Sequence, residues 1–351
     1  MKLSTVAVGA AAAGAIGLGV LTVPAGAGAE PTLPEVSAEE LVQSVLAAQP
    51  PALGGVVEVD NALGLPALPG RPGGESPLTQ PVTTFRVWAD GHGRGRLALP
   101  SRGGEQVLVE DGTTLWRYDS SSRTATALPH RPADADRHAP VADPAQAAKE
   151  LVGAVRTSSE VVVDGTGEVA GRPVYELVLT PKPTERTLLR EVRVAVDSVS
   201  RVPLQLTVLA DGSTDPALQI GFTDLDVGAQ DPDLFRFTPP PGVTVQRPEK
   251  SPEPQRAPHG PGGRHKAGPE MIRTVGQGWD TVALGKLSTA TGPDAETDPL
   301  AMVRQVGRPA SGPWGNGWVV QTAVGTVLVA SDGRFAAGAV PQQVLAEALV
   351  R

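Results

Sequence analysis

Cysteine is absent from the 351-residue sequence. This absence excludes a disulfide framework, a cysteine-based metal site, a cysteine nucleophile and a lipid-modified N-terminal cysteine.

An excess of basic residues is also missing. The chain has 30 Lys and Arg residues against 38 Asp and Glu residues, which gives a formal net charge of −8. Nucleic-acid binding uses a basic surface to neutralise phosphates, so the composition argues against a nucleic-acid partner.

The usual sequence signatures of catalysis are missing too. There is no Gly-x-Ser-x-Gly, His-Glu-x-x-His, Walker loop or Gly-x-Gly-x-x-Gly. The histidines all fall in predicted turns, loops or linker: His92, His130, His138, His259 and His265. A catalytic base normally lies on a fixed element beside an orienting partner. We therefore predict a protein that is not an enzyme and has no cofactor or metal.

What the chain does have is glycine and proline. The 41 Gly and 35 Pro residues exceed a fifth of the sequence, which favours turns and short strands over long helices. Because single cores usually stop growing at about 250–300 residues, the length predicts two domains.

The N-terminus has the pattern of a signal peptide. Lys2 precedes an uncharged run, Val6–Val23, and small residues follow at Ala27-Gly28-Ala29. We predict cleavage after Ala29; the alternative is an uncleaved membrane anchor, since the run is nearly long enough to span a bilayer. Both interpretations place the rest of the chain outside the cytoplasm, in the cell envelope or secreted. No later segment is apolar enough to span a membrane.

Two amphipathic helices are predicted. Ser37 and Glu40 form the pattern of a capping box, and apolar residues follow at helical spacing, which predicts a helix over residues 37–49. Asp143-Pro144 is a typical helix start, and the second predicted helix covers Ala145–Val155.

The remaining apolar segments alternate and are separated by turn residues such as Asp90-Gly91 and Asp111-Gly112, which indicates one antiparallel sheet. The predicted strands are Val56–Val59, Phe85–Ala89, Gln106–Glu110, Thr114–Tyr118, Arg123–Leu128, Val161–Val163, Val174–Thr180, Leu188–Val196, Leu204–Leu209 and Ala217–Leu225.

The C-terminal quarter is predicted to be separate. Residues 247–269 are dense in Pro, Gly and charge without apolar periodicity, as in a linker. Residues 270–351 have the pattern of a small α+β unit with a hairpin and a terminal helix. We therefore predict a signal peptide at 1–29, a first domain at 30–246, a linker at 247–269 and a second domain at 270–351.

Two stretches resemble a known family. Val109–Asp119 (VEDGTTLWRYD) and Asp231–Val245 (DPDLFRFTPPPGVTV) are similar to the Leu-Trp-x-Tyr strand and the closing segment of LolA-like domains, and Arg201–Leu206 matches the hairpin before that segment. The resemblance covers about residues 35–246. It implies an α+β fold in which a curved antiparallel sheet forms a half-barrel over helices.

The family contains periplasmic lipoprotein carriers, acyl-lipid-binding relatives and envelope-stress regulators of the RseB/MucB type. The regulators have a LolA-like domain, a linker and a small C-terminal domain, and the layout predicted here is closer to theirs than to a one-domain carrier. This chain departs from the pattern in its long Asn61–Pro81 loop and in its C-terminal unit, which carries no recognisable motif.

A half-barrel whose helices do not fill its concave side leaves an apolar cavity that can bury acyl chains. Our candidates for its lining are Val57, Val59, Phe85, Val87, Leu108, Leu115, Trp116, Tyr118, Leu177, Leu179, Val192, Val194, Leu206 and Ile220. Trp116 and Tyr118 share a face of one strand and are favoured. The alternative is that these side chains fill a closed core.

The tip of the Asn61–Pro81 loop is apolar, with Leu63, Leu65 and Leu68. It is interpreted as a hydrophobic lid or a membrane-touching finger, or alternatively as a disordered insertion.

Three functions are compatible with these patterns. The first is an extracytoplasmic binding protein that holds an acyl chain, a lipid or a lipidated protein and works with a transporter as a carrier. The second is a regulator like RseB/MucB that binds a membrane-bound anti-sigma factor. The third is a structural envelope protein with a closed core.

Overall fold

The computed structural model describes residues 32–65, 80–101, 103–129, 144–247, 272–287 and 299–350. The predicted signal peptide, nearly all of the predicted linker and most of the Asn61–Pro81 loop lie outside these ranges. Within them, no helix has both the length and the hydrophobicity needed to cross a bilayer.

The larger of two sheets has twelve strands. They are β1 (Ala52–Asn61), β2 (Val82–Asp90), β3 (Gly95–Ser101), β4 (Gly104–Glu110), β5 (Thr114–Asp119), β6 (Thr124–Pro129), β7 (Ser159–Val169), β8 (Arg172–Pro181), β9 (Leu189–Asp197), β10 (Pro203–Ala210), β11 (Pro216–Val227) and β12 (Thr244–Gln246). Their order is β12-β6-β5-β4-β3-β2-β1-β11-β10-β9-β8-β7, so the chain closes the centre of the sheet by pairing β1 with β11.

Two helices pack on one side of this sheet. The helix α1 (Ala38–Ala47) begins with the predicted capping box, in which Ser37 and Glu40 exchange hydrogen bonds. Its Leu41 packs on Tyr175 and Val196, and α2 (Pro144–Val155) packs through Val152 on the same end of the sheet. We call the side that carries the helices the inner face and the opposite side the outer face.

The large sheet is curved and open. Val169 and Val174, at the far ends of β7 and β8, share a hydrophobic cluster with Leu53 of β1 and Phe222 of β11. Ala195 of β9 and Leu204 of β10 bridge this cluster. In addition, β11 contacts β7 although three strands lie between them in the strand order, which requires strong curvature. Among the described strands, β7 and β12 are the two edges of this sheet. The predicted half-barrel over helices is confirmed.

A segment formed by residues 231–246, the outer-face strap, crosses the outer face of β2–β6. It contains a short 3₁₀ helix, Pro232–Phe235, and ends in β12, which pairs in parallel with β6. Phe235 is buried, and the ring of Phe237 lies against Trp116 and Tyr118. The strap explains why outer-face residues such as Val109 are fully buried.

The smaller sheet has six strands in the order β13-β14-β18-β17-β16-β15. They are β13 (Arg273–Val275), β14 (Val282–Lys286), β15 (Arg308–Gly312), β16 (Gly315–Gln321), β17 (Thr326–Ala330) and β18 (Arg334–Gly338), with the helices α3 (Pro299–Val306) and α4 (Gln342–Val350). Leu345 of α4 packs on Leu328 and Ala336 to form its core.

The small sheet docks at the end of the large sheet where β8 finishes and β7 starts. Arg186 binds the carboxylates of Asp280 and Glu347, and the carbonyl of Ala339 accepts hydrogen bonds from the Leu188 amide and the Thr187 hydroxyl. These contacts are polar and specific, so they fix how the two sheets meet.

The strand predictions missed several elements. β3 was not predicted, although Leu97 and Leu99 alternate with Arg96 and Ala98. β7 (Ser159–Val169) extends well beyond the predicted strand Val161–Val163 and contains a bulge at Val163–Thr166. The prediction of a purely antiparallel sheet was wrong at one edge, because β12 pairs in parallel.

Candidate ligand-binding face

The inner face of the large sheet is built by strand alternation. Residues paired across antiparallel strands point to the same side, so the register gives the composition of each row. One row runs across six strands through Val59, Ile220, Leu206, Val194, Leu177 and Val163. Every side chain in it is apolar.

The described helices cover one end of this face. Val161, Val163, Leu177 and Leu179 pack against α1 and α2. Val59 and Phe85 form a second cluster with inner-face neighbours on β2, β3 and β11, and it contains no described helix residue.

Past the helices, many inner-face side chains stay half-exposed. We call this set the inner apolar surface: Val87, Leu97, Leu99, Leu108, Leu115, Val192, Leu206, Val208, Leu218 and Ile220. Beneath it, Val57, Val59 and Phe85 are buried. In the described part of the chain, these apolar side chains are therefore only partly covered.

Most of the predicted lining residues lie on this face. The structure brings together Val57, Val59, Phe85, Val87, Leu108, Leu115, Leu177, Leu179, Val192, Val194, Leu206 and Ile220. Their contact with a ligand stays a prediction.

The two favoured residues are elsewhere, and their predicted placement was wrong. Trp116 and Tyr118 point to the outer face, where their ring centroids lie 5.3 and 5.5 Å from that of Phe237. Alternation shows which residues of a strand share a face, but not which face is inner. Because the strap covers the outer face of β5, large aromatic side chains can be packed on that face as well as on the inner one. The missed signal was the pair Phe235 and Phe237 in the strap. Two large rings in one short segment need apolar partners on the surface that the segment crosses.

Trp116 also has a polar partner on the outer side. Its Nε1 donates to Oδ2 of Asp111 at 3.2 Å, in the turn between β4 and β5. Burial raises the pKa of Asp111, but hydrogen bonds from Thr113, Thr114 and Trp116 outweigh it and hold this pKa below its ordinary value. The hydrogen bond to Asp111 and the ring contact with Phe237 together hold the indole in place.

The lid candidates are only partly described. Leu63 is half-buried, Leu65 is exposed, and Leu68 lies outside the described residues. The carbonyl of Leu63 accepts a 2.8 Å hydrogen bond from the amide of Ala323 in the small sheet. The start of this loop therefore contacts the C-terminal unit.

Polar side chains lie at the border of the inner apolar surface on β4 and β5. Asp119 accepts hydrogen bonds from Ser121 and Ser122, which lower its pKa, and the carboxylate of Glu110 accepts from the Gly112 amide. Arg117 is exposed beside them, on the inner face. Sequence reasoning missed Arg117, Leu97 and Leu99.

Three surface cavities lie outside this face. The first, of about 610 Å³, lies between the strap and the outer face of β2–β4, where it is lined by Trp88, Arg96 and Leu234. A second, of about 350 Å³, adjoins it near His92, and a third, of about 460 Å³, lies beside Trp318 in the small sheet. Among the described residues, no three His, Asp or Glu side chains form a group that could hold a metal ion.

The large sheet is an open, curved antiparallel half-barrel with helices on one face. No family model and no curated protein matches the sequence. Solved structures similar to this chain include MucB in complex with MucA(peri), with 17% identity over 89% of this chain and 97% of that chain and a TM-score of 0.44. The Pseudomonas aeruginosa MucA/MucB complex matches with 18% identity, the same coverage and a TM-score of 0.44.

A LolA superfamily protein from Nitrosomonas europaea matches with 12% identity over 58% of this chain and 99% of that chain, with a TM-score of 0.25. The architecture that the sequence resemblance implied, a curved antiparallel sheet over helices, is the one observed in this chain.

Proposed function

We propose that the protein is an extracytoplasmic, non-enzymatic binding protein that holds an acyl chain, of a lipid or a lipidated protein, on its inner apolar surface. The observation that supports it is the half-exposure of contiguous leucine, valine and isoleucine side chains past the end of the helices. Contiguous exposed apolar surface of this kind marks a ligand or partner site. It favours ligand binding over a structural protein with a closed core.

The chemistry needs no charged ligand. Each buried methylene contributes about 0.8 kcal/mol, so ten of them contribute about 8 kcal/mol before the entropic cost of binding. Part of that free energy is sufficient for micromolar to millimolar affinity. Such binding is reversible, which suits a carrier that must release its cargo.

The test places a charge on the inner apolar surface. Val87 and Leu206 are half-exposed there, so Val87→Asp and Leu206→Glu should fold and lose most of their affinity for a fluorescent fatty acid. Val162, on the outer side of β7, is 49% exposed, and Val162→Glu is the matched control that should bind normally. Native mass spectrometry of the protein from its own host checks whether an acyl ligand copurifies. Failure of the wild-type protein to bind any acyl probe would contradict the proposal.

A second candidate is regulatory. The docked C-terminal unit, held by Arg186 and Trp279, adds a surface that a simple carrier does not need. In two of the solved structures that are similar to this chain, MucB is in complex with MucA. A comparable role here gives the C-terminal unit a membrane-bound regulatory partner.

The two candidates separate experimentally. A variant without residues 272–350 should retain acyl binding under both, but should lose a membrane-protein partner only if the chain is a regulator. Crosslinking in envelope extracts, with full-length protein as the reference, measures this loss. Equal crosslinking by both forms would contradict the regulatory candidate.

A further inference from the structure

We infer that the ligand of the inner apolar surface carries an anionic headgroup, and that Arg117 binds it. This inference rests on the proposed function and specifies the class of ligand. It assigns the acyl chain to the apolar rows and the headgroup to the β5 end of the inner face.

The register fixes the position of Arg117. It is paired with Leu108 of β4 and Thr126 of β6, and it alternates with Trp116 and Tyr118, which face the strap. Its side chain therefore lies on the inner face. It is exposed there, at the boundary where the apolar rows end.

Arg117 is the single positively charged residue on the inner face of β1–β6, all of whose residues are described. The other strand arginines of this half, Arg86 and Arg96, lie on the outer face with Trp88. Arg117 is therefore the one cation that these six strands offer to an anionic group on the inner face.

Arg117 has no hydrogen-bond or ion-pair partner within the described ranges. The two carboxylates on its side of the sheet are engaged in the turns next to it: Asp119 with Ser121 and Ser122, and Glu110 with Gly112. The guanidinium therefore keeps its donors available. It can bind a carboxylate or a phosphate with two parallel hydrogen bonds.

The distances suit an amphiphile. The row that begins at Arg117 continues through Leu108, Leu97 and Val87 to Gly55 on β1. Four strand spacings of about 4.8 Å give about 19 Å, the scale of a long acyl chain. A headgroup on Arg117 thus allows the tail to lie across the sheet toward Val57 and Ile220.

The experiment measures the affinities of oleic acid, its uncharged methyl ester and oleoyl lysophosphatidic acid. The variants are Arg117→Gln, Arg117→Lys and, as a matched charge loss on the outer face, Arg86→Gln. Wild type and Arg86→Gln should bind the anionic ligands about tenfold tighter than the ester. Arg117→Gln should bind all three like the ester, and Arg117→Lys should recover part of the preference. Whichever anion binds tighter identifies the headgroup as carboxylate or phosphate.

The failures are distinguishable. Equal binding of oleic acid and its ester by the wild type, or an Arg117→Gln variant that keeps the preference, would overturn this inference and leave the proposed function intact. No binding of any of the three ligands by the wild type would overturn the proposed function, and this inference with it.

Discussion

The indole Nε1 of Trp279 donates a hydrogen bond to the hydroxyl of Ser159, and the two atoms are 2.7 Å apart. Ser159 is buried at the start of β7, while Trp279 belongs to a 3₁₀ turn just before β14. The backbone amide of Trp279 also donates to Glu185 at 2.9 Å. One residue therefore anchors the small sheet on the large one.

Replacing this anchor should loosen the junction. Trp279→Phe keeps an aromatic ring but leaves the buried Ser159 hydroxyl without this donor, which should cost about 1–2 kcal/mol. Urea denaturation checks the loss. Trp318→Phe, in the small sheet away from the junction, is the control, and an equal effect of both substitutions would argue against the anchor.

Asp197 should make the free energy of unfolding depend on pH in the acidic range. It is fully buried at the end of β9, where Arg172 binds it at 2.7 and 3.0 Å. Burial raises its pKa, but hydrogen bonds from Arg172 and Ser200 prevail and lower it from 3.8 to about 2. Because the folded pKa is the lower one, this stabilisation is complete above pH 3.8 and is lost as the pH falls toward 2.

The magnitude is about 2 kcal/mol, and Asp197→Asn should remove it together with the corresponding slope of stability between pH 4 and 2. Unfolding free energies measured across this range test the prediction. Asp224→Asn, on the exposed outer side of β11, is the matched control. A slope unchanged in Asp197→Asn would show that other carboxylates cause it.

Phe237→Ala should weaken the strap without changing ligand affinity. The substitution removes the ring that lies against Trp116 and Tyr118, which should cost about 2–3 kcal/mol. Thermal unfolding measures the cost, with the exposed Thr238→Ala as control. A folded Phe237→Ala variant that no longer binds fatty acid would contradict the assignment of these aromatics to the outer face.

Gly55 should not tolerate a side chain. A Cβ there would lie 2.6 Å from the carbonyl oxygen of Asp224 and 2.9 Å from the ring of Phe222. We expect Gly55→Ala to cost about 1–3 kcal/mol through overpacking at the β1–β11 pair. Gly228→Ala, where a Cβ meets nothing within 4 Å, is the control for the loss of a glycine. Equal stability of the two variants would contradict the expectation.

Much of the fold follows from local patterns. The Ser37–Glu40 capping box and the Asp-Gly turns place the first helix and several hairpins, because these signals act over three or four residues. β3 escaped because Leu97 and Leu99 are its only large apolar residues and Pro100 follows them. The pairing of β12 with β6 joins residues more than a hundred positions apart, and no local signal encodes it.

The candidate site was predictable in part for a similar reason. Alternation correctly grouped Val57 with Val59 and Leu177 with Leu179, since period-two spacing sets which side chains share a face. It could not tell that Phe237 would cover the other side of β5. Arg117 was overlooked because its significance depends on its neighbours across the sheet, Leu108 and Thr126, rather than on its neighbours in the chain.

The pairing of β1 with β11 has a consequence for how the chain matures. Its partners are separated by more than 150 residues, so the central ladder cannot zip together until nearly the whole half-barrel has been made. Such long-range closure is slow compared with hairpin formation. A growing polypeptide that has reached β10 still has an open seam at β1.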